Sequence, residues 1–297
     1  MIDAAPGRHA AAMVTPFTPD GSLDLDGAQR LAVHLIDEGG LDALVLSGTT
    51  GESPTTTDAE KSALVRAVAE AVGDRASVIA GVGTNDTRHT VSLAREAESA
   101  GADALLVVAP YYSRPGPQAL VHHFRTVADA TGLPVLLYDI PGRTGSEMPY
   151  DVLAELAGHP RITGVKDCSY DPMKTARVLA ATDLAYYAGC DEQNLSLRAI
   201  GGVGFISTVA NVAPREVRAV LDAYAAGSTA SATARQQALT PLIAAVMGSG
   251  VPGAVTAKAL LREQGLPSGP VRAPLLGADG ELVDQLVGAL KSLNAGG

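Results

Sequence analysis

Tryptophan is absent from this chain, and aromatic residues make up only 4% of it. Stacking platforms for nucleobases are therefore scarce. Basic residues are also in the minority, 22 Lys and Arg against 32 Asp and Glu, for a formal net charge of −10. No basic stripe is present, so nucleic acid is not an expected partner, and the acidic balance speaks mainly for solubility. No apolar run reaches the roughly 20 residues that cross a bilayer, so no membrane association is expected. The opening Met1-Ile2-Asp3-Ala4 lacks the basic and apolar segments of a secretory leader. Two cysteines, Cys168 and Cys190, cannot form a disulfide framework. A cytoplasmic enzyme with reduced thiols fits these absences. There is no phosphate-binding P-loop and no hydrolase elbow. The six histidines are scattered, and the adjacent His122 and His123 point apart on a helix. Metal hydrolysis and nucleotide chemistry are disfavoured, and neither a metal nor an organic cofactor is expected.

What the chain does have is apolar residues, 46% of 297, enough for a large core. Eight short apolar runs stand out, at 10–14, 43–46, 77–80, 104–108, 135–138, 162–166, 185–188 and 203–206. Runs of this length bounded by turn residues suit strands buried on both faces. Between them lie helical stripes such as Ala28, Leu31, Ala32 and Leu35, or Val217, Val220, Leu221 and Tyr224. Thr57 and Glu60 have capping-box spacing. Gly101, Gly132 and Gly158 fall near expected helix ends, where left-handed geometry suits glycine. Eight strand–helix units in about 225 residues indicate an α/β protein with a (β/α)8 TIM barrel. A doubly wound sheet would more often carry a glycine-rich turn after its first strand, where this chain has Thr15-Pro16-Phe17. After the eighth unit the pattern changes to helices alone, including 254–264 and 281–293. We expect a catalytic barrel over residues 1–226 and a C-terminal helical extension over 227–297.

Barrel active sites lie at the C-terminal ends of the strands, so those positions carry the functional signal. Lys166 ends the sixth run. An ammonium leaving a buried strand loses hydration, which lowers its pKa. A partly neutral lysine is a nucleophile that forms Schiff bases with carbonyl compounds. The ordinary alternative is a strand-end lysine paired with Asp167. The second run ends in Ser47-Gly48-Thr49-Thr50-Gly51-Glu52-Ser53, whose glycines permit a tight turn and whose N–H and hydroxyl groups suit a small anion. The fourth is followed by Tyr111 and Tyr112. The fifth ends in Tyr138, a phenol able to relay protons once its pKa is tuned, and the loop after it carries Arg143, a planar fork for a carboxylate. The seventh run leads to Gly189-Cys190-Asp191 and the eighth ends in Phe205-Ile206-Ser207-Thr208. An amine nucleophile, phenols and carboxylate binders together suit Schiff-base chemistry on a small 2-oxo acid.

Gly48-Thr49-Thr50-Gly51-Glu52, Pro110-Tyr111-Tyr112, Tyr138-Asp139-Ile140-Pro141-Gly142-Arg143-Thr144-Gly145 and Gly164-Val165-Lys166-Asp167 resemble the dihydrodipicolinate synthase / N-acetylneuraminate lyase family. The resemblance covers nearly the whole chain. It implies a homotetramer built from tight dimers, with pyruvate and aspartate 4-semialdehyde as substrates on the way to diaminopimelate and lysine. Lys166 would form the imine with pyruvate and Tyr138 would move protons to and from it. Thr50 and Tyr112 would complete a hydroxyl relay, Tyr112 reaching across the dimer interface. Thr49 and Thr50 would hold the pyruvate carboxylate, Arg143 that of the second substrate, and Gly189 and Ile206 would line the pocket. Two other functions stay open. One is a sister pyruvate-dependent lyase for N-acetylneuraminate or a keto-deoxy-sugar acid, relatives that tend to lack the arginine. The other is a non-catalytic binding barrel.

The chain departs from the family pattern in two places. Relatives commonly carry Gly-Asp-Asp where this chain has Gly189-Cys190-Asp191, and Cys168 and Cys190 are expected near the barrel mouth, at the ends of neighbouring strands. In lysine-inhibited relatives a His or Glu stands at the position of Lys61. A cation there would repel the ammonium of bound lysine. Asn85 matches an effector-site position while His89 replaces an acidic partner, so lysine feedback is expected to be weak or absent.

Overall fold

The computed structural model describes residues 6–295, so the opening segment read above for a leader, and both chain ends of the two-part division, lie outside the described residues. Strand and helix alternate through β1 (His9–Ala12), α1 (Leu25–Val33), β2 (Ala43–Leu46), α2 (Asp58–Val72), β3 (Ser77–Gly81), α3 (Thr87–Ser99), β4 (Ala104–Val108), α4 (Pro117–Ala128), β5 (Val135–Asp139), α5 (Pro141–Thr144), α6 (Tyr150–Leu156), β6 (Ile162–Asp167), α7 (Pro172–Ala181), β7 (Ala185–Ala188), α8 (Asn194–Ala199), β8 (Gly204–Ser207) and α9 (Pro214–Ala225). The eight strands are all parallel and close into a barrel in chain order. Helices α10 (Thr229–Met247), α11 (Gly253–Glu263) and α12 (Gly280–Ala295) follow, with α10 against α9 and α12.

The strands lie close to the eight apolar runs, and the differences at their ends have physical causes. β1 stops two residues early because Val14 turns its N–H to the Asn211 side chain, 3.0 Å away. β5 and β6 each run one residue longer, because the ladder continues through Asp139↔Asp167 and on to Ala188. Thr57 and Glu60 do form the capping box of α2. Of the three glycines expected to be left-handed at helix ends, only Gly101 is, with φ +95°.

Side chains alternate across each strand and so divide the core in two. The outward set, with Leu44, Val107, Leu137 and Val165, packs against the helices. The inward set fills the barrel, and much of it is small: Ala10, Ala12, Ala43, Ala104 and Ala185 leave room for Tyr138, Tyr187 and Ile206. The Tyr187 hydroxyl donates to Gly7 O at 2.8 Å.

The C-terminal helices reach the catalytic end of the barrel through a buried ion pair. Lys258 of α11 and Glu52 of the β2 loop are each about 2% exposed, and the Lys258 amine pairs with Glu52 Oε1 while donating to Pro270 O at 2.8 Å. Arg272 N donates to Glu52 Oε2 at 2.9 Å, and its guanidinium grips Glu60 of α2. That grip draws the Glu60 carboxyl down to about 2. The Phe17 ring has Lys258 and Arg272 each 4.1 Å from its centre, an attraction of cation for ring quadrupole. Burial lowers Lys258 to about 8 against the pull of Glu52. Removing one partner of such a pair strands the other charge in the interior. We therefore expect Lys258→Met to lower stability by about 3–5 kcal/mol, and Lys258→Met combined with Glu52→Gln to be less destabilised than the single variant, both measured by urea unfolding.

Candidate active site

Lys166 is the penultimate residue of β6 and points into the barrel, where it is 4% exposed. Asp167, one residue on, faces the opposite side, as strand periodicity demands. It accepts from Thr175 Oγ1 of α7 at 2.5 Å and from the N–H of Ser169 at 2.8 Å. The ordinary reading of Lys166 as the partner of Asp167 is thus replaced. Burial lowers the Lys166 amine below its usual range, with Cys168, Cys190 and Asp191 opposing and Arg143 assisting. Behind the site, on the outer face, Asp139 pairs with Lys174 at 2.9 Å. Burial raises Asp139 to about 6 against the pull of Lys174.

Tyr138 and Lys166 are register partners on adjacent strands. The Lys166 amine lies 4.4 Å from the centre of the Tyr138 ring. Burial, foremost, holds the phenol well above its ordinary value, with the Thr49 hydroxyl opposing. Tyr138 is therefore a neutral O–H at physiological pH, a group that hands a proton on rather than a standing phenolate. Gly189 leaves the space the lysine stem occupies. A Cβ there would lie 2.4 Å from Cys168 Sγ and 3.0 Å from both Cγ and Cε of Lys166.

The loop after β2 makes a tight turn, but its glycines do not carry the left-handed conformations. The left-handed residues are Ser47 and Glu52, with φ +53° and +56°. Gly51 is needed instead for close approach, since a Cβ would lie 3.0 Å from Met13 O. The Lys258–Glu52 pair holds one of these two strained positions. The turn splits the two threonines. Thr49 faces Tyr138, while Thr50 is buried with its hydroxyl 3.0 Å from that of Thr208, after β8. Thr208 N donates in turn to the buried Asp191 at 3.2 Å. Asp191 also accepts from Ser207 Oγ and Val209 N, so it braces the β8 loop.

A cavity of about 440 Å³ opens beside this group, walled by Thr49, Tyr138, Arg143 and Tyr111 and extending past Lys61, Asn85 and His89. Arg143 does not ride on a loop as expected. It sits on the single turn α5, opened by Pro141 and closed by left-handed Gly145. The structure brings Lys166, Tyr138, Thr49 and Gly189 together and sets Arg143 across the cavity. Ile206 lies in the barrel interior in register with Ala10, away from the cavity wall. Tyr112 stands apart: it is 90% exposed, with φ +71°, and within one chain it joins no hydroxyl relay with Thr50. Cys168 and Cys190 follow the C-terminal ends of the neighbouring strands β6 and β7, as expected, and both are buried, beside Lys166. Thr208 and Tyr111 stand in the sequence beside residues singled out there. Their roles depend on contacts across the barrel that no local pattern announces.

A closed eight-stranded parallel barrel with a desolvated lysine at the end of β6 defines an enzyme class, the barrels that work through an amine nucleophile. The chain belongs to the dihydrodipicolinate synthetase family, whose model matches residues 5–293. It is 64% identical over 294 residues to 4-hydroxy-tetrahydrodipicolinate synthase 1 of Streptomyces coelicolor, covering 99% of this chain and 96% of that one. It is 55% identical over 280 residues to 4-hydroxy-tetrahydrodipicolinate synthase of Acidothermus cellulolyticus, covering 94% and 90%. The structure of the dihydrodipicolinate synthase of Cyanidioschyzon merolae with lysine bound superposes with a TM-score of 0.94 at 35% identity, covering 97% and 98%.

Because Gly189 and the lysine stem share one space, Gly189→Ala should displace the amine. We expect turnover to fall by about 10²-fold, the scale of a 1 Å misplacement, with far-UV circular dichroism unchanged. Adding Cys168→Ala removes the closest clash and should restore part of the loss.

Proposed function

We propose that this protein condenses pyruvate with aspartate 4-semialdehyde to 4-hydroxy-tetrahydrodipicolinate through a Schiff base on Lys166, the committed step towards diaminopimelate and lysine. The observation that carries this reading is the buried Lys166 amine in register with the buried Tyr138 phenol. The names of the relatives at 64% and 55% identity support the same substrates.

The chemistry follows from the geometry. Desolvation raises the neutral fraction of the Lys166 amine, which attacks the ketone carbon of pyruvate. Loss of water gives the imine, an electron sink that makes the pyruvate methyl group acidic. Tyr138, neutral and beside the amine, delivers a proton to the departing hydroxyl and takes protons back in later steps. Thr49 and Thr50, on the turn fixed by Glu52, hold the pyruvate carboxylate. The enamine carbon then attacks the aldehyde of the second substrate, whose carboxylate is held by the Arg143 fork. The amine of that substrate displaces Lys166 and closes the ring. Gly189 leaves room for the lysine stem.

Tyr112 completes the relay with Thr50 in this reading only when it enters from a neighbouring subunit of a homotetramer. Its 90% exposure in the single chain supports such a role. The barrel through residue 226 carries the chemistry and 227–297 buttress it. Among the described residues no helix is long and apolar enough to cross a membrane, and the cytoplasm is the compartment we assign. The carboxylate fork of Arg143 favours the semialdehyde over the polyhydroxylated acceptors of sister lyases.

The cavity beyond Arg143 bears on regulation. Lys61 donates to Thr56 O at 2.6 Å, and His89 is engaged by Asp58 at 2.9 Å. Burial lowers the Lys61 amine, with Asp58 and Glu60 opposing. A cation among these residues disfavours a second ammonium.

Borohydride with pyruvate should leave a stable adduct on Lys166. Adduct formation should rise with pH to a midpoint below the ordinary lysine value of 10.5. Lys166→Ala should abolish both adduct and turnover. Arg143→Ala should spare the adduct and cut kcat/KM for the semialdehyde by about 10²-fold, equivalent to the loss of a charge-assisted hydrogen bond. An absent adduct would remove the Schiff-base mechanism, and turnover of N-acetylneuraminate in place of the semialdehyde would reassign the substrate. In the same assay lysine should leave the rate unchanged at sub-millimolar concentration; strong inhibition there would refute the reading of Lys61 and His89.

A further inference from the structure

Cys168 and Cys190 take no part in the condensation, yet they occupy the wall next to its nucleophile. Both are buried, at 5% and 8% exposure, and both are free thiols. They belong to the inner cluster that also holds Tyr138. β6 and β7 are neighbours whose last register pair is Asp167↔Ala188, and Gly189 N donates to Asp167 O at 2.9 Å. Cys168 extends β6 by one residue. Cys190 extends β7 by two and keeps extended geometry, φ −119° and ψ 121°. A strand spacing of about 4.8 Å and a rise of about 3.3 Å per residue put their Cα atoms about 6 Å apart. That falls within the 4.4–6.8 Å range, roughly, over which a disulfide closes without backbone movement. Each thiol is the foremost influence on the other's pKa, as two sulfurs facing one another across this gap would be.

The surroundings treat the two sulfurs unequally. The Cys168 thiol and the Tyr170 hydroxyl beside it draw the Cys190 thiol below its ordinary value, while the same neighbour and burial push Cys168 well above it. The Tyr170 hydroxyl proton goes to Glu192 Oε1 at 2.6 Å, which links the loops after β6 and β7. Tyr170 is 58% exposed and left-handed, φ +57°.

We propose that Cys168 and Cys190 form a redox modification site, in which a hydroperoxide converts the dithiol to a disulfide that reversibly suppresses the reaction at Lys166. The Cys190 thiolate attacks the outer oxygen of the hydroperoxide. The O–O bond breaks, an alcohol leaves, and Cys190 becomes a sulfenic acid. The Cys168 sulfur then attacks Cys190 Sγ. The S–S bond forms, and the hydroxyl leaves as water with the Cys168 proton. Two thiols lose two electrons and two protons, and the hydroperoxide is reduced to one alcohol and one water. An external dithiol reverses the change by thiol–disulfide exchange. Closure matters for catalysis because Cys168 Sγ and the Lys166 stem both crowd the open face of Gly189. Drawing the sulfur into a bond of about 2.05 Å repacks that face. This last link rests on Lys166 being the nucleophile, as proposed above.

The test treats the full chain with hydrogen peroxide, then dithiothreitol, and reads two quantities. Peptide mass mapping should show a 168–190 cross-link, with the loss of two hydrogens. Pyruvate-dependent borohydride trapping and turnover should fall at least tenfold and recover on reduction. Cys190→Ser should keep the reduced rate within about twofold and resist peroxide. Cys168→Ser should instead accumulate a sulfenic acid at Cys190 that a cyclic 1,3-diketone labels. Absence of the cross-link, or a cross-linked protein that turns over at full rate, would overturn the proposal. Failure of trapping in the fully reduced protein would overturn the Schiff-base reading instead, and the cross-link would still be read independently by mass.

Discussion

One ammonium group loses most of its hydration where β6 puts it. Among the described residues Lys166 has no ion-pair partner, and the adjacent carboxylate, Asp167, is turned to the other face of the strand. The cost of charging the amine there is what makes it reactive. Every other part of the site answers to that placement. Tyr138 is kept protonated by the same burial, Gly189 vacates the volume the stem needs, and the small residues of the inner wall make the barrel wide enough for both.

Polar support for this interior comes from outside it. Asp139 and Asp167 leave the strands that carry Tyr138 and Lys166 in the outward direction, and there they fasten α7 through Lys174 and Thr175. The parity of a strand thus assigns one residue to chemistry and the next to anchorage. Asp191 does the equivalent for the β8 loop, taking Ser207, Thr208 and Val209, and so fixing the hydroxyl that Thr50 meets.

Much of this was legible in the sequence. Short apolar runs ending in Lys166 and Tyr138 gave the barrel and the reactive pair, because strand burial and strand ends are local properties. Departures arose where the outcome depended on partners remote in the chain. Glycines in the β2 loop suggested a tight turn, but which residues turn left-handed, Ser47 and Glu52, was not announced. Glu52 is held by Lys258 of α11 and by Arg272 on the segment between α11 and α12, 220 positions away. Arg143 was expected on a loop, yet Pro141 and Gly145 bracket a helical turn around it. The split between Thr49 and Thr50 and the contact between Cys168 and Cys190 are set by curvature around the barrel, which no window of sequence contains.

The clamp on Phe17 has a temporal side. Lys258 and Arg272 emerge from the ribosome long after Glu52 and Phe17, so a nascent barrel can close its eight strands while the threonine turn still lacks its counter-ions. The threonine hydroxyls are made early, but the turn that aims them gains its ionic support only with the last part of the chain, so completion of synthesis and completion of the anion seat coincide.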